Sequence, residues 1–452
     1  MDDHDAEENG ISNNLPPEAN GTGALETPQP PGADAAEKDF KKEPLCTVME
    51  ISVSESERRY NGSMNLTEYY TAYLIETRVT EPTFGGALSR QGALWRRYSE
   101  FETLAGYLGE AYPYVVTPPL PEKRASHVWQ KLATDPFDSE FIDRRRVGLE
   151  SFLLRVASHP ILSWDSIFLR FIQDERDWKE IVTGTGYLEK VERQLKSLNA
   201  TIRVKKGDSR FDELLTYGRE LETHLSSVLR SRARLTDATY AVRRQHASYG
   251  RVLSQWSAVE TQMGDGLQRA GHYMDAHAAS IDTFVEEEEV YIDQLKEYMY
   301  YAAALQAVCH KYTMRQYQLE RLDDTLSQLS QRRENALQGK PSLMWRLLGS
   351  VDTDEVREMK VADIDQQVTD TEQQIRQHTE QLSEFVEKAL EDVQRFHSRK
   401  VKDLRETIVN YMKLQIRICK KGLQTWRHFR DCVDSLEGQP PPVPPPQEIG
   451  SP

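Results

Sequence analysis

Apolar residues recur every seven positions through the second half of the chain, and this repeat restricts the possible folds more than any other feature. The first register consists of Phe284, Tyr291, Tyr298, Leu305, Tyr312, Leu319 and Leu326. The second consists of Val361, Val368, Ile375, Leu382, Ala389 and Phe396. Repeats of this kind are typical of coiled-coil seams, in which long helices pack side by side. Residues 208–436 are therefore predicted to be helical throughout.

Two interruptions divide this region into three predicted helices. One is the glycine-containing stretch 263–271, and the other is 339–350, which contains Pro341. At a rise of 1.5 Å per residue, a helix of roughly 70 residues would be about 100 Å long. No compact globule accommodates such a length, so the pattern predicts a slender, elongated three-helix bundle with no room for a catalytic domain.

Residues 45–178 have the mixed pattern of an α+β domain. Apolar and polar residues alternate over 49–53, and the segment 69–79 is rich in residues that favour strands. A third strand is predicted to end near Arg97, and helical spacing of apolar residues returns before Pro160. This part of the chain is expected to be a separate domain, joined to the bundle by a linker over 179–207.

Both ends of the chain differ in composition from these two domains. Residues 1–44 are acidic and contain few large apolar side chains, which predicts disorder. The proline-rich end, 437–452, favours an extended segment that acts as a spacer or binds an SH3-type domain. We expect neither end to contribute to a packed core.

Charge and motifs exclude several classes of function. The formal net charge of −15 argues against nucleic-acid binding, which needs a predominantly basic surface. The first residues lack the pattern of a signal peptide, and no apolar run approaches the length of a membrane span. The four cysteines lack metal-ligand spacing and are expected to be reduced thiols. No phosphate-binding loop or nucleophile motif is found, so neither catalytic residues, metal nor cofactor is expected.

The stretch LWRRYSEFETL places a guanidinium group beside a predicted helix N-terminus. Ser99 and Glu102 have the spacing of a capping box, so a helix is predicted to begin after Tyr98. Helix N-termini favour anions, and Arg97 lies at this one. Tyr98 adds a flat amphipathic ring next to the charge.

Two further basic elements complete a candidate anion pocket. Lys123 and Arg124 follow a proline-rich loop, and Arg145 shares a helical stripe with the apolar Leu149 and Phe152. A guanidinium group on that stripe needs an anionic partner, because burying it unpaired is costly. Each basic group alone could be a solvated surface charge. Together they predict a pocket for a multiply phosphorylated ring.

These residues also resemble a known family. The segments RRYSEF, PPLPEKR and RRRVGLESFLLRVASHP resemble those of the phox-homology (PX) domain, a phosphoinositide reader with a small antiparallel sheet and helices. The resemblance implies phosphatidylinositol 3-phosphate as the ligand. It implies that Arg97 contacts the 3-phosphate, Tyr98 stacks under the inositol ring, Lys123 reaches the 1-phosphate and Arg145 contacts the ring hydroxyls. Because three arginines are consecutive at 144–146, Arg146 is a possible substitute for Arg145 in this contact.

A PX domain followed by a three-helix coiled coil resembles the PX-BAR sorting nexins. The segments SLNATIRVKK (197–206) and YGRVLSQWSAVETQMGDGLQRAGHYMD (249–275) strengthen the resemblance. It implies a BAR domain over 208–436 that forms a homodimer, or a heterodimer with a related PX-BAR sorting nexin. It further implies a cytoplasmic, non-enzymatic protein, peripheral on early and recycling endosomes, that sorts transmembrane cargo and serves protein transport and autophagy. The alternative is a coiled-coil tethering scaffold that binds the lipid without remodelling membranes.

Two segments are candidates for additional membrane contact. The linker residues Leu195 and Leu198 belong to a short apolar stripe beside basic residues, which predicts an amphipathic helix in the headgroup layer or one packed on the bundle. Arg230, Arg234 and Arg244 lie in the first long helix. They would face an anionic membrane, or else form a solvated helix face.

Overall fold

The computed structural model describes residues 43–63, 66–81, 90–123, 138–187, 189, 204–338 and 354–435. The predictions for the acidic segment before residue 43, for the proline-rich end, and for Leu195 and Leu198 lie outside these residues. Among the residues described, no helix is both long and apolar enough to cross a bilayer.

A three-stranded antiparallel sheet is the frame of the first domain. Its strands are β1 (Met49–Ser63), β2 (Leu66–Val79) and β3 (Gln91–Arg97), in the order β1-β2-β3. Ile75 of β2 is paired with Val53 on one side and with Leu94 on the other. Because side chains alternate along a strand, these three lie on one face, and all are buried.

In the described part of this domain, four helices cover the apolar face of the sheet. They are α1 (Tyr98–Ala111), α2 (Ser139–Ala157), α3 (Ser166–Gln173) and α4 (Trp178–Thr183), with short 3₁₀ turns at Leu45–Thr47 and Leu162–Trp164. Their buried side chains join the sheet in one cluster that includes Phe101, Leu104, Leu149, Phe152, Phe168 and Phe171. The cluster continues past residue 178, because Trp178, Ile181 and Val182 of α4 belong to it.

The start of α1 differs in register from the predicted capping box. The N-cap is Arg97, and the carboxylate of Glu100 accepts a hydrogen bond of 3.0 Å from the Arg97 amide. The ladder between β2 and β3 extends to Arg97, which pairs with Ala72, so the helix begins directly at the strand end. Glu102, predicted as the capping carboxylate, instead pairs with Lys123.

The second half is a bundle of three long helices, as the heptads predicted. The helices are α5 (Ser209–Ser257), α6 (Gly264–Leu337) and α7 (Asp354–Asp434). The 74 residues of α6 correspond to a length of about 110 Å. All residues of both predicted seams are buried or half-buried. The predicted fold class, a small antiparallel sheet with helices followed by an elongated helical domain, is confirmed.

The first break in the bundle lies earlier than its glycines suggested. α5 ends at Ser257 and α6 begins at Gly264, so Gly271 lies within a helix. A Cβ atom on Gly271 would lie 2.8 Å from the carbonyl oxygen of Gly250. These two glycines therefore permit a close crossing of α5 and α6.

The first domain sits on the middle of α6 and α7 through buried polar contacts. The guanidinium of Arg155 in α2 binds Glu297 of α6 at 2.8 Å and Asp403 of α7 at 2.5 Å. Asp392 of α7 lies 2.8 Å from His159 Nε2 and accepts a 2.8 Å hydrogen bond from the amide of Val116. Since Asp392 is only 2 % exposed, these hydrogen bonds satisfy a carboxylate that water barely reaches.

Candidate functional site

The alternation of β3 separates the two arginines at its end. Arg96 is buried, and its guanidinium donates to the carbonyl oxygens of Phe171 at 3.1 Å and Asp174 at 2.6 Å. Arg97 points the other way, and its side chain is 50 % exposed, with Glu100 at 3.9 Å. Arg96 therefore holds α3 to the sheet, while Arg97 remains available to a ligand.

Tyr98 stands between Arg97 and the proline-rich loop. Its hydroxyl donates a 2.5 Å hydrogen bond to the carbonyl oxygen of Pro121. Burial, together with the nearby carboxylate of Glu102, raises the pKa of Tyr98 well above its usual value. The phenol consequently stays protonated and keeps this donor role at neutral pH.

Arg145 lies over the ring of Tyr98. Its guanidinium carbon is 5.1 Å from the centroid of that ring and 4.4 Å from the centroid of the Phe141 ring. The guanidinium donates to the carbonyl oxygen of Lys123 at 2.5 Å and to the hydroxyl of Tyr73 at 3.4 Å. This side chain thus links α2, β2, the start of α1 and the loop.

The charge of Arg145 is buried and has no counter-charge within 4.0 Å among the residues that the structure describes. The residue is only 9 % exposed, and its Nε atom has no hydrogen-bond partner among the described residues. Within the same residues, no carboxylate lies within 4.0 Å of its guanidinium nitrogens. A buried cation without a counter-charge is costly, so the position favours a bound anion.

Lys123 adds a flexible cation at the edge of the same cluster. Its side chain is 60 % exposed, and its ammonium group lies 2.7 Å from the carboxylate of Glu102. An exposed ion pair of this kind contributes little to stability. The ammonium group can therefore exchange Glu102 for a phosphate.

Arg146 is not part of this cluster. Its guanidinium donates to the carbonyl oxygen of Val53 at 2.6 Å and pairs with Asp143 at 2.8 Å. One residue along an α-helix corresponds to a turn of about 100°, which directs Arg146 to β1 and Arg145 to Tyr98. The structure thus brings Tyr98, Lys123 and Arg145 together, while Arg97 precedes Tyr98 at the start of α1 and Arg146 lies elsewhere.

A glycine in α2 lets the proline-rich loop approach closely. A Cβ atom on Gly148 would lie 2.6 Å from the Cβ atom of Pro121. Pro121 carries the carbonyl oxygen that accepts from Tyr98. The close packing therefore fixes one wall of the cluster, and no sequence pattern singles out Gly148.

The five arginines between residues 230 and 244 of α5 fall into two groups. Arg232 is buried and binds Glu288 at 2.5 Å, and Arg243 binds Asp282 at 2.8 Å. The three predicted contacts, Arg230, Arg234 and Arg244, are exposed. Within the described part of the chain, none of the three has a carboxylate within 4.0 Å. These three are therefore free to meet an anionic surface.

An exposed apolar stripe on α5 was missed at the sequence level. Its members are Val228, Leu235, Val242, Tyr249 and Trp256, each between 43 % and 55 % exposed. On α7, the exposed apolar residues Met412, Cys419, Trp426 and Val433 also recur every seven positions. Spacing by seven was the signal that could have found both sets. Such repeats on a solvent face indicate a seam that a further helix would cover.

No metal centre accompanies these features in the part of the chain described: no three His, Cys, Asp or Glu side chains are grouped to hold an ion. The arrangement around Tyr98 supplies three cations of different mobility and one aromatic face. It is suited to bind a phosphorylated ring by charge and stacking, without covalent chemistry.

Comparisons with known proteins agree with this architecture. The PX domain family matches residues 89–175. Sorting nexin-4 of Homo sapiens is 48 % identical over 395 residues, which cover 86 % of this chain and 87 % of the relative. Sorting nexin-30 of Mus musculus is 26 % identical over 247 residues, or 54 % of each chain. The resemblance to PX-BAR sorting nexins, with sorting nexin-4 among its near relatives, is confirmed.

One solved structure shares the fold across both domains. The cryo-EM structure of the SNX-BAR Mvp1 tetramer covers 84 % of this chain and 99 % of its own, with a TM-score of 0.58 and 16 % identity. At this identity the likeness concerns the fold alone. It shows that the overall fold of this chain, a small mixed domain followed by a long helical bundle, also occurs in a solved SNX-BAR protein.

Proposed function

This chain belongs to the sorting nexin family, and from that premise we propose that it binds phosphatidylinositol 3-phosphate on early and recycling endosomes. As a dimer, it would sense or generate curvature there during cargo recycling, protein transport and autophagy. Membership of the family and the PX domain already make it a membrane-associated protein. The observation that carries the choice of ligand is the guanidinium of Arg145, which is buried over Tyr98 with no carboxylate within 4.0 Å among the described residues.

The headgroup would bind with its ring on the face of Tyr98. Arg97, exposed at the start of α1, would bind the 3-phosphate, where the helix N-terminus also favours negative charge. Lys123 would leave Glu102 for the 1-phosphate. Arg145 would donate to the ring hydroxyls through its Nε–H group, which has no partner among the described residues.

Dimerisation would use the exposed apolar stripes of α5 and α7. The stripe on α5 consists of five exposed apolar residues spaced by seven, and it exposes more contiguous apolar surface than isolated surface residues do. Two copies of the pocket on one dimer raise the effective concentration of the second lipid contact. The partner would be a second copy or a related PX-BAR sorting nexin, and transmembrane cargo would be collected by the assembled dimer.

Giant liposomes separate remodelling from simple tethering. The dimer is expected to bind vesicles containing phosphatidylinositol 3-phosphate and to draw tubules from them, as seen by fluorescence microscopy. Vesicles without this lipid serve as the control and should remain bare. Vesicles that bind protein and cluster but stay spherical would support the tethering scaffold, while equal binding to both vesicle types would contradict the proposed ligand.

Reversing the free arginines of α5 should weaken contact with the membrane. An arginine near an anionic surface contributes about 1 kcal/mol, and the contribution falls off within a Debye length. The variant Arg230→Glu/Arg234→Glu/Arg244→Glu is therefore expected to lose at least about tenfold in affinity for acidic vesicles. Its binding should also depend less on salt, and cosedimentation at several salt concentrations measures both effects.

The third helix provides a matched control for this variant. Lys402, Lys413 and Lys420 of α7 are exposed, lie on one helix face and have no carboxylate within 4.0 Å among the described residues. Replacing these three with Glu changes the net charge by the same amount. A larger loss in the α7 variant than in the α5 variant would place the lipid-facing surface on α7.

A further inference from the structure

The long helix α6 reaches into the first domain beside the candidate pocket. The hydroxyl of Tyr300 donates a 2.9 Å hydrogen bond to the carboxylate of Glu122 in the proline-rich loop. The ammonium group of Lys296 lies 3.8 Å from the same carboxylate oxygen. The side chains of Glu122 and Lys296 are only 13 % and 8 % exposed, so solvent screens these contacts little.

Glu122 occupies a particular place in that loop. The residue before it, Pro121, supplies the carbonyl oxygen that accepts from Tyr98. The residue after it, Lys123, supplies the carbonyl oxygen that accepts from Arg145. A displacement of Glu122 along the backbone would therefore move the acceptors of both side chains at once.

The loop is fixed from two directions. On one side Gly148 of α2 leaves space for Pro121, which a Cβ atom at this position would approach to 2.6 Å. On the other side Tyr300 and Lys296 hold Glu122 from the helical bundle. Burial and the adjacent Glu122 carboxylate raise the pKa of Tyr300 above its usual value, so its hydroxyl remains a donor at neutral pH.

We propose that Tyr300, assisted by Lys296, is a positioning residue of the headgroup site, supplied by the BAR bundle rather than by the PX domain. It acts through Glu122 and does not touch the ligand. This inference rests on the proposed function, because it assigns a role in the same pocket. By linkage, a bound headgroup stabilises the contact between loop and bundle to the same extent.

The test is a calorimetric titration of the full chain with a water-soluble, short-chain phosphatidylinositol 3-phosphate. Tyr300→Phe removes one hydroxyl and should weaken binding about three- to tenfold, as expected for the loss of one hydrogen bond. The thermal midpoint and the dimer mass should stay unchanged. Tyr317→Phe, the same change further along α6, should bind like the parent chain.

A double-mutant cycle shows whether the effect passes through Glu122. Glu122→Gln keeps the size of the side chain and should also weaken binding. If Tyr300 acts through Glu122, the double variant loses no more affinity than the weaker-binding single variant. Additive losses, or a Tyr300→Phe chain that binds like the parent, overturn the inference. Should Tyr300→Phe lower the thermal midpoint, Glu122→Gln and Lys296→Met test the same contact.

The results that would contradict the proposed function differ from those that would refute the role of Tyr300. If the parent chain does not bind the soluble lipid, or binds it no better than Arg97→Ala does, the pocket assignment is wrong. If the parent binds and Arg97→Ala does not, while Tyr300→Phe is unaffected, the pocket stands and only the role of the bundle is refuted.

Discussion

Arg97→Ala is expected to abolish flotation of the protein with vesicles that carry phosphatidylinositol 3-phosphate. In the complex this guanidinium would form a desolvated pair with a phosphate, and losing one member of such a pair costs about 2 to 5 kcal/mol. That cost corresponds to a loss of affinity of about 30-fold or more. Because Arg97 is exposed and its nearest acid, Glu100, is 3.9 Å away, the free energy of unfolding should change by less than about 0.5 kcal/mol.

Arg78→Ala is the matched control for this variant. Arg78 is also an exposed arginine of the same sheet, paired with Glu50 at 2.6 Å. It pairs with Gln91 at the opposite end of the ladder from Arg97, about 20 Å away. Flotation of Arg78→Ala should match the parent chain. Normal flotation of Arg97→Ala would exclude Arg97 from the site, whereas loss in both variants would indicate nonspecific charge binding.

Arg145 is less suitable for this test because it supports the fold as well. Its guanidinium joins the loop to α2 through the carbonyl oxygen of Lys123 and stacks on two aromatic rings. Removing it would leave these partners without contacts. A loss of binding in Arg145→Ala would therefore mix a binding effect with a folding effect.

The variant Leu235→Glu/Val242→Glu is expected to convert the dimer into monomers. Both side chains are about half exposed in the single chain, so the protomer should fold normally. In a two-fold symmetric dimer each substitution occurs twice, and an unpaired charge in a closed interface costs about 3 kcal/mol or more. The dissociation constant should rise at least about a hundredfold, which light scattering after gel filtration measures directly.

Ser248→Glu controls for the added charge. Ser248 is exposed and precedes Tyr249 of the stripe, so it lies about 100° around the helix from that residue. This variant should remain dimeric. The monomeric double variant should bind soluble headgroup like the parent but float poorly with vesicles, because it has lost the second contact. A double variant that stays dimeric would place the interface elsewhere.

The periodicities of the sequence determined the secondary structure and the division of the chain. A repeat of seven apolar residues can bury its stripe only in long helices packed side by side, whatever lies around them. The resemblance of three short segments to PX domains supplied the candidate site residues, and their roles in binding stay predictions. The predictions of strands and long helices were confirmed because spacing along the chain fixes which side chains share a face.

Finer choices within the site depended on local register. The sequence favours Arg145 and leaves Arg146 as a possible substitute; in the structure Arg145 lies over Tyr98, and Arg146 donates to the carbonyl oxygen of Val53. The predicted N-cap of α1 was Ser99, whereas the N-cap in the structure is Arg97, because the hydrogen-bonded ladder between β2 and β3 continues up to the helix. The role of each of these side chains depends on the residue at which its helix or strand begins. Secondary-structure propensity alone does not specify that residue.

Only the tertiary structure revealed what joins the two domains. Tyr300 and Glu122 are 178 residues apart, and His159 and Asp392 are 233 apart. On the sequence, Asp392 and Glu122 are ordinary charged residues that would be assigned to a solvated surface. The seven-residue spacing of apolar residues on α5 is also visible in the sequence. The sequence does not determine whether another part of the same chain covers those residues. The sequence fixes the faces of each element, whereas burial and pairing are decided by which faces meet, and that depends on contacts between distant parts of the chain.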